Sequence, residues 1–353
     1  MDFSLDPAQQ AVADVVTSVM DRSGAARPAT SANADSDELW SALAGNGVTS
    51  LALPERLEGD GVGLPGIATV LTELGRHGAV TPALATLGLG VVPLLQLATE
   101  EQQDRYLSRV AAAGVLTAAL NEPGTALPDR PSTTFAGNRL NGTKVGVPYA
   151  ARADWMIVTA DNAVVVVSPK ADGVQLEQIP TSNESEEHVV TFADVAVPDS
   201  DVLAGADAHR VNQLVLAMIG AYGSGLVAGA LRLTADYVAN RHQFGKPLST
   251  FQTVAAHLAN VYIASRTLDL AAKSVVWRLA GGRDADDDLD VLGFWLASEA
   301  APAMQICHHL HGGIGVDITY PMTRYYSTIK DLTRLLGGPS HRLELVGAQC
   351  SST

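Results

Sequence analysis

Cysteine is almost missing from this chain. Cys307 and Cys350 are the only two in 353 residues, and neither belongs to a C-x-x-C pair. That excludes a disulfide framework and a thioredoxin-like redox pair, and it fits a reducing compartment. Charge is scarce as well, at 17% Asp, Glu, Lys and Arg, and it leans acidic, with a formal net charge of -15. No Lys/Arg cluster interrupts it, so nucleic acid and anionic membrane surfaces are not expected partners. A long apolar run is also lacking. The most apolar stretch, ALATLGLGVVPLLQLA from Ala83 to Ala98, is too short to cross a bilayer and holds a proline, so it reads as a buried helix pair. The opening MDFSLDPAQQ has neither the basic region nor the apolar core of an export signal, and a cytoplasmic location is the expectation.

Aliphatic residues, by contrast, are plentiful. Hydrophobic residues make up 47% of the chain, which is rich for a monomer and predicts apolar faces hidden against other subunits. The length suits two or three domains. Asp6-Pro7 followed by Gln9 gives a helix start with a reciprocal cap, and Val12, Val15, Val16 and Val19 then recur at helical spacing. Residues Asp21 to Asp37, small and polar, read as a loop. Helical patterns resume at Glu38 and continue to about Val115. From Leu116 the grammar changes to short β-rich runs, among them RLNGTKVGV, DWMIVTA, AVVVVSP, GVQLEQI and HVVTFADVAV. These predict a small antiparallel sheet or barrel. Long helical periodicity returns over Val211 to Asn240, Phe251 to Ala280 and Asp288 to Leu310, which predicts a bundle. The fold class is therefore α+β. Its expected divisions are a helical N-terminal domain (1–115), a β middle domain (116–205) and a C-terminal helical bundle (206–353).

Two motifs in the last third carry chemistry. In YVANRHQFGKPLSTFQ, Tyr237 to Gln252, Arg241 offers a planar fork of donors suited to a pyrophosphate. Gln243 and Gln252 can hydrogen-bond nearby oxygens or ring atoms, and Phe244 supplies a flat face for a purine. Gly245 and Pro247 turn the chain. On composition alone, Arg241 could equally end a helix favourably and Phe244 simply pack. In QICHHLHGGIGVDITYP, Gln305 to Pro321, Gly312, Gly313 and Gly315 let backbone amides approach an anion, although a glycine-rich helix C-terminus reads the same way. His308, His309 and His311 invite a metal reading. No acidic ligand is arranged with them, and Cys307 is the only cysteine nearby, so no metal is expected.

Taken together, R-x-Q-F-G upstream of H-G-G-x-G, with a β segment between helical thirds, resembles the acyl-CoA dehydrogenase family across nearly the whole chain. The resemblance implies FAD as cofactor, lying between subunits. One chain's middle domain holds the flavin ring, while a neighbour's two motifs clasp the ADP half. It also implies a carboxylate that removes the α-proton of an acyl thioester, and electron-transferring flavoprotein as electron acceptor. On this resemblance Arg241 takes the pyrophosphate, Gln243 and Phe244 the adenine side, and Gln252 a further polar contact. His309, with Gly312 and Gly313, takes the phosphates; His309 stands where the family usually has Gln.

The departures fall on one side of that arrangement. Asn121-Glu122-Pro123-Gly124 resembles the family's flavin-side Thr-Glu-Pro segment, but TALPD replaces the Gly-Ser-Asp expected after it. Gly146, Val147 and Pro148 stand where the family has an aromatic and a hydroxyl beside the flavin. Counted from Gly312, the usual catalytic Glu-Gly-Thr falls on Leu336-Gly337-Gly338, and leucine cannot accept a proton. Val211 to Ala235 contains no Asp or Glu to replace it. The chain thus keeps what a subunit gives its neighbour and lacks its own base.

The stretches DWMIVTADNAVVVVSP, ADYVANRHQFGKPLSTFQTVAA and YYSTIKDLTRLLGGPSHRLELVGA are similar to the short subunits of bacterial cholesterol side-chain acyl-CoA dehydrogenases. Those assemble as two short and two long subunits. That implies a long acyl-CoA dehydrogenase subunit as partner and a steroid acyl-CoA substrate of the 3-oxo-pregnene-20-carboxyl-CoA type. Two rivals remain open: a self-sufficient homotetramer whose base has moved to Asp331 or Glu344, and a scaffold subunit that binds no flavin.

Overall fold

The computed structural model of the chain describes residues 3–23 and 32–352. Helix α1 (Pro7–Arg22) opens on the expected reciprocal cap, with Asp6 accepting from the Gln9 amide and Gln9 accepting from the Asp6 amide. Its buried stripe is Val12, Val16, Val19 and Met20. The loop read over Asp21 to Asp37 is shorter than expected, because α1 runs to Arg22 and α2 (Ala32–Gly45) begins at Ala32. Acidic residues read as loop are also favoured at a helix start, where the dipole welcomes negative charge. Residues 24–31 of that reading lie outside the described residues. Helix α3 spans Gly63–Arg76.

The apolar run after α3 is one continuous rod rather than a helix pair. Leu84–Val91 is π-helical and passes directly into α4 (Val92–Leu97), with the Val92 amide reaching back to the Leu87 carbonyl. Pro93 lies inside this rod, which runs on through it despite the N–H it lacks. Helix α5 (Glu100–Leu107) follows behind a second reciprocal cap, Thr99 with Gln102.

Seven strands then appear, all within the β-rich third: β1 (Leu116–Ala119), β2 (Thr134–Ala136), β3 (Arg139–Pro148), β4 (Trp155–Thr159), β5 (Val164–Val167), β6 (Val174–Ile179) and β7 (Glu187–Ala196). The sheet ordered β2-β3-β7-β6 is antiparallel throughout. In the second, β1-β4-β5, the pair β1 and β4 runs parallel. Strands buried on both faces, such as Val164–Val167, carry no alternation from which a direction could be read.

The last third holds α6 (Ala208–Asn240), a two-residue ribbon of β8 (His242–Gln243) and β9 (Lys246–Pro247), α7 (Gln252–Ala280), α8 (Asp286–His311), α9 (Met322–Leu335) and α10 (Gly338–Ser352). Acids Asp286, Asp287 and Asp288 occupy the first turn of α8, as the dipole favours. The chain divides into two compact units. One comprises residues 1–35, 68–80 and 219–353; the other comprises 36–67 and 81–218.

In the first unit α3 and α6 meet backbone to backbone. A Cβ at Gly75 would lie 2.3 Å from the Tyr222 carbonyl oxygen, and one at Gly225 would lie 2.1 Å from that of Thr72. No side chain fits between them. By length and composition α6 could cross a membrane, but 89% of its most apolar window is buried inside the protein, as befits a core helix.

In the second unit a buried ion pair organises the sheet. Lys144, fully buried on β3, places Nζ 2.9 Å from Glu122 Oε1 and also reaches the Leu120 carbonyl and Thr159 Oγ1. Glu122 further accepts from the amides and hydroxyls of Ser132 and Thr133. Burial works against its ionisation, but these bonds outweigh it and hold the carboxyl down at about 2. For Lys144, burial wins over Glu122 and pulls its pKa below the ordinary value.

Glu122→Gln leaves that lysine buried without its counter-charge, and denaturant titration is expected to show a loss of about 3–5 kcal/mol. The pH dependence has a defined sign. A depressed carboxyl contributes stability that is complete above its ordinary pKa of 4.5 and lost as pH falls through about 2, and the variant is expected to lack this acid limb.

Candidate functional site

At the C-terminal end of α6 the chain folds into a tight hairpin. His242 pairs with Pro247 and Gln243 with Lys246. The two residues between them, Phe244 and Gly245, both have positive φ, 53° and 78°. A two-residue turn requires this to match the strand twist, and glycine supplies it without strain. The Leu248 amide closes the loop onto the Arg241 carbonyl at 2.8 Å. Phe244 is thereby thrust outward, 91% exposed, with its ring 6.2 Å edge-on from Phe251. Lys246 Nζ sits 4.4 Å over the Phe251 ring.

The end of α8 lies opposite. Gly312 caps the helix at φ 61°, ψ -140°, a conformation essentially closed to any other residue, and the chain continues as a short 3₁₀ turn over Gly312–Val316. The histidines diverge. His308 meets the Tyr326 ring edge-on, His309 meets His257, and His311 stacks on Tyr237. Among the described residues no group of three metal-ligating side chains is found.

These two ends enclose a cavity of about 590 Å³ within the first unit, lined by Tyr237, Arg241, Gln243, His309, His311, Gly312 and Gly313, with Leu248, Val254, Leu310 and Ile314 as apolar wall. Five of the seven residues singled out in the sequence come together here: Arg241, Gln243, His309, Gly312 and Gly313. Phe244 and Gln252 are not in the lining, and Gln252 is exposed at the first position of α7. Sequence reasoning assigned no binding role to Tyr237 or His311. Tyr237 stands one turn before Arg241 and accepts its amide proton, a spacing that could have flagged it.

No carboxylate lines the cavity. No side-chain hydrogen bond or ion pair within the described residues engages the Arg241 guanidinium. In a chain of net charge -15, an unengaged cation beside a turn of glycine amides is a place for an anion.

Comparison with known proteins decides the lineage. Residues 6–114 match the acyl-CoA dehydrogenase N-terminal domain and residues 216–349 the C-terminal domain. The chain is 71% identical, over the full length of both, to acyl-CoA dehydrogenase FadE28 of Mycobacterium tuberculosis. The chain belongs to the acyl-CoA dehydrogenase family. It is therefore an oxidoreductase of a family whose cofactor is FAD. Among solved structures it superimposes on a chain of the ChsE4-ChsE5 complex from Mycobacterium tuberculosis with a TM-score of 0.89 at 28% identity, covering 100% of both chains. A variant of the steroid ACAD Tcur3481-Tcur3483 gives a TM-score of 0.89 at 30% identity, covering 98% of this chain and 99% of that one.

An acyl-CoA dehydrogenase needs a base, and the positions considered for one are occupied otherwise. Leu336 is fully buried at the end of α9, and its carbonyl accepts from Arg342 Nε at 2.9 Å. Gly337 and Gly338 follow with φ of 82° and 83°, a left-handed turn into α10. Asp331 is buried on α9 with Arg334 Nη2 at 3.7 Å, and Glu344 is exposed on α10. Neither lines the cavity. Glu122 is committed to its buried pair.

Gly312→Ala forces a Cβ onto a glycine-only conformation. It is expected to lower stability by about 1–3 kcal/mol in denaturant titration, whereas Gly313→Ala, at a position without positive φ, is expected to cost less.

Proposed function

We propose that this chain is the partner subunit of a heteromeric FAD-dependent acyl-CoA dehydrogenase. It contributes the ADP side of the FAD site, and a long acyl-CoA dehydrogenase subunit supplies the catalytic base. The observation that carries this reading is a division within one chain: a cavity built of donors, with no carboxylate on the frame that normally presents one. To this belong the three domains that the sequence pattern divides near residues 115 and 205, the cytoplasmic location expected from cysteine usage and the opening residues, and electron-transferring flavoprotein, which the family resemblance implies as electron acceptor.

The donor set fits the cofactor. Arg241 can present two parallel N–H groups to a diphosphate, Gln243 and His309 add side-chain donors, and the glycine turn lets backbone amides come close. Phe244, held outward by the hairpin, offers its face to whatever lies across the interface. When bound, FAD supplies the two-electron acceptor for the hydride that leaves the β-carbon of the thioester. The residues of this chain bind and orient; the α-proton goes to a carboxylate of the long subunit. The substrate class is a steroid side-chain CoA thioester, of the 3-oxo-pregnene-20-carboxyl-CoA type, oxidised to its α,β-unsaturated form. Similarity to the steroid ACAD Tcur3481-Tcur3483 supports that class, and it and the ChsE4-ChsE5 complex support a heteromer; two short and two long chains follow from the resemblance to the short subunits.

Flavin content and native mass, measured for the chain alone and co-expressed with a long subunit, test the reading. FAD is expected only in the mixed complex, about one per pair of chains. A yellow, active homomer with one FAD per chain would overturn it, as would a complex with no FAD. In the complex, Arg241→Ala is expected to weaken FAD retention by about 1.5–3 kcal/mol, read as flavin lost on gel filtration. Asp331→Asn and Glu344→Gln are expected to leave turnover unchanged; loss of activity in either would place the base here.

A further inference from the structure

His311 is held in one tautomer. Its Nδ1 lies 2.8 Å from the Cys307 carbonyl oxygen, one turn back in α8, and a carbonyl can only accept, so Nδ1 carries the proton. Nε2 is then a bare acceptor. The residue is 3% exposed, and this nitrogen is buried without a hydrogen-bond partner. Its ring is stacked 4.6 Å from Tyr237 and tilted against Tyr320 at 5.2 Å. Burial pushes the imidazole's pKa down, over the opposing pull of the Cys307 bond, so the ring stays neutral. The same residue lines the cavity.

An unmet buried acceptor is costly, and on the wall of a binding cavity it implies a ligand that brings the donor. Phosphate oxygens cannot, because they too only accept. We propose that His311 Nε2 accepts a hydrogen bond from a ribose hydroxyl of the nucleotide held in this cavity. The assignment rests on the ADP-side reading above and sharpens it. His311 directly precedes Gly312 and Gly313, the pair assigned to the diphosphate, and within the ADP half the ribose is the group bonded to that diphosphate, whereas the adenine amino group lies further along.

Calorimetry on the mixed complex of this chain with its long subunit, stripped of flavin and titrated with ADP, 2′-deoxy-ADP, 3′-deoxy-ADP and inosine diphosphate, tests this. The wild type is expected to bind one deoxy analogue about tenfold more weakly than ADP, and inosine diphosphate as well as ADP. His311→Phe keeps a flat ring on Tyr237 but no acceptor, and is expected to bind ADP and that analogue equally. A second measurement needs no variant: the ¹⁵N shift of His311 Nε2 in the wild type is expected to move with ADP and not with the weaker analogue. Equal binding of all four, discrimination that survives in His311→Phe, or an unmoved ¹⁵N shift overturns the His311 assignment while leaving the cavity's reading intact. Weakened inosine diphosphate binding that His311→Phe abolishes moves the donor to the adenine amino group and overturns the ribose. No nucleotide binding at all overturns the ADP-side reading and this assignment with it.

Discussion

Burying α6 is the constraint on which the rest of the molecule turns. At 33 residues it is about 50 Å long, and 89% of its most apolar window is shut away from water. A charge in such a helix must be paired or excluded, and between Val211 and Ala235 only Arg232 is charged. Where α3 crosses it, glycines at 75 and 225 bring the two backbones into contact. That contact fixes the axis of α6, and with it the point at which its last turn delivers the Arg241 hairpin.

The two cations that matter are treated in opposite ways. Lys144 is fully buried and bound on every side, by Glu122, Thr159 and the Leu120 carbonyl. Its strength is spent internally, holding the segment after β1 against β3. Arg241 is exposed, and no side-chain partner within the described residues engages it. In an acidic chain such a cation is left for something that arrives from outside.

Much was legible in the sequence because local rules coincide with the fold. The cap at Asp6 obeys side-chain chemistry that extends only three residues, and the strands from Arg139 to Val197 announce themselves by β-branched runs between turn residues. Reading failed where a longer-range effect decided. Pro93 marks a break by the local rule, yet the π-helical turn ahead of it lets the rod run on. Strand direction in β1-β4-β5 is invisible in strands buried on both faces.

The site divides along the same line. The residue types, the spacing of R-x-Q-F-G and H-G-G-x-G, and the absence of a carboxylate at Leu336 were determined by the sequence alone, because each is a matter of which groups exist to donate or accept. Only the tertiary structure decided which of them share a cavity. It gathered Arg241, Gln243, His309, Gly312 and Gly313, and left Phe244 and Gln252 off the wall. It also gave His311 a fixed tautomer, because the carbonyl that sets it belongs to the preceding turn of α8 and the rings that bury it, Tyr237 and Tyr320, come from α6 and from beyond the glycine turn.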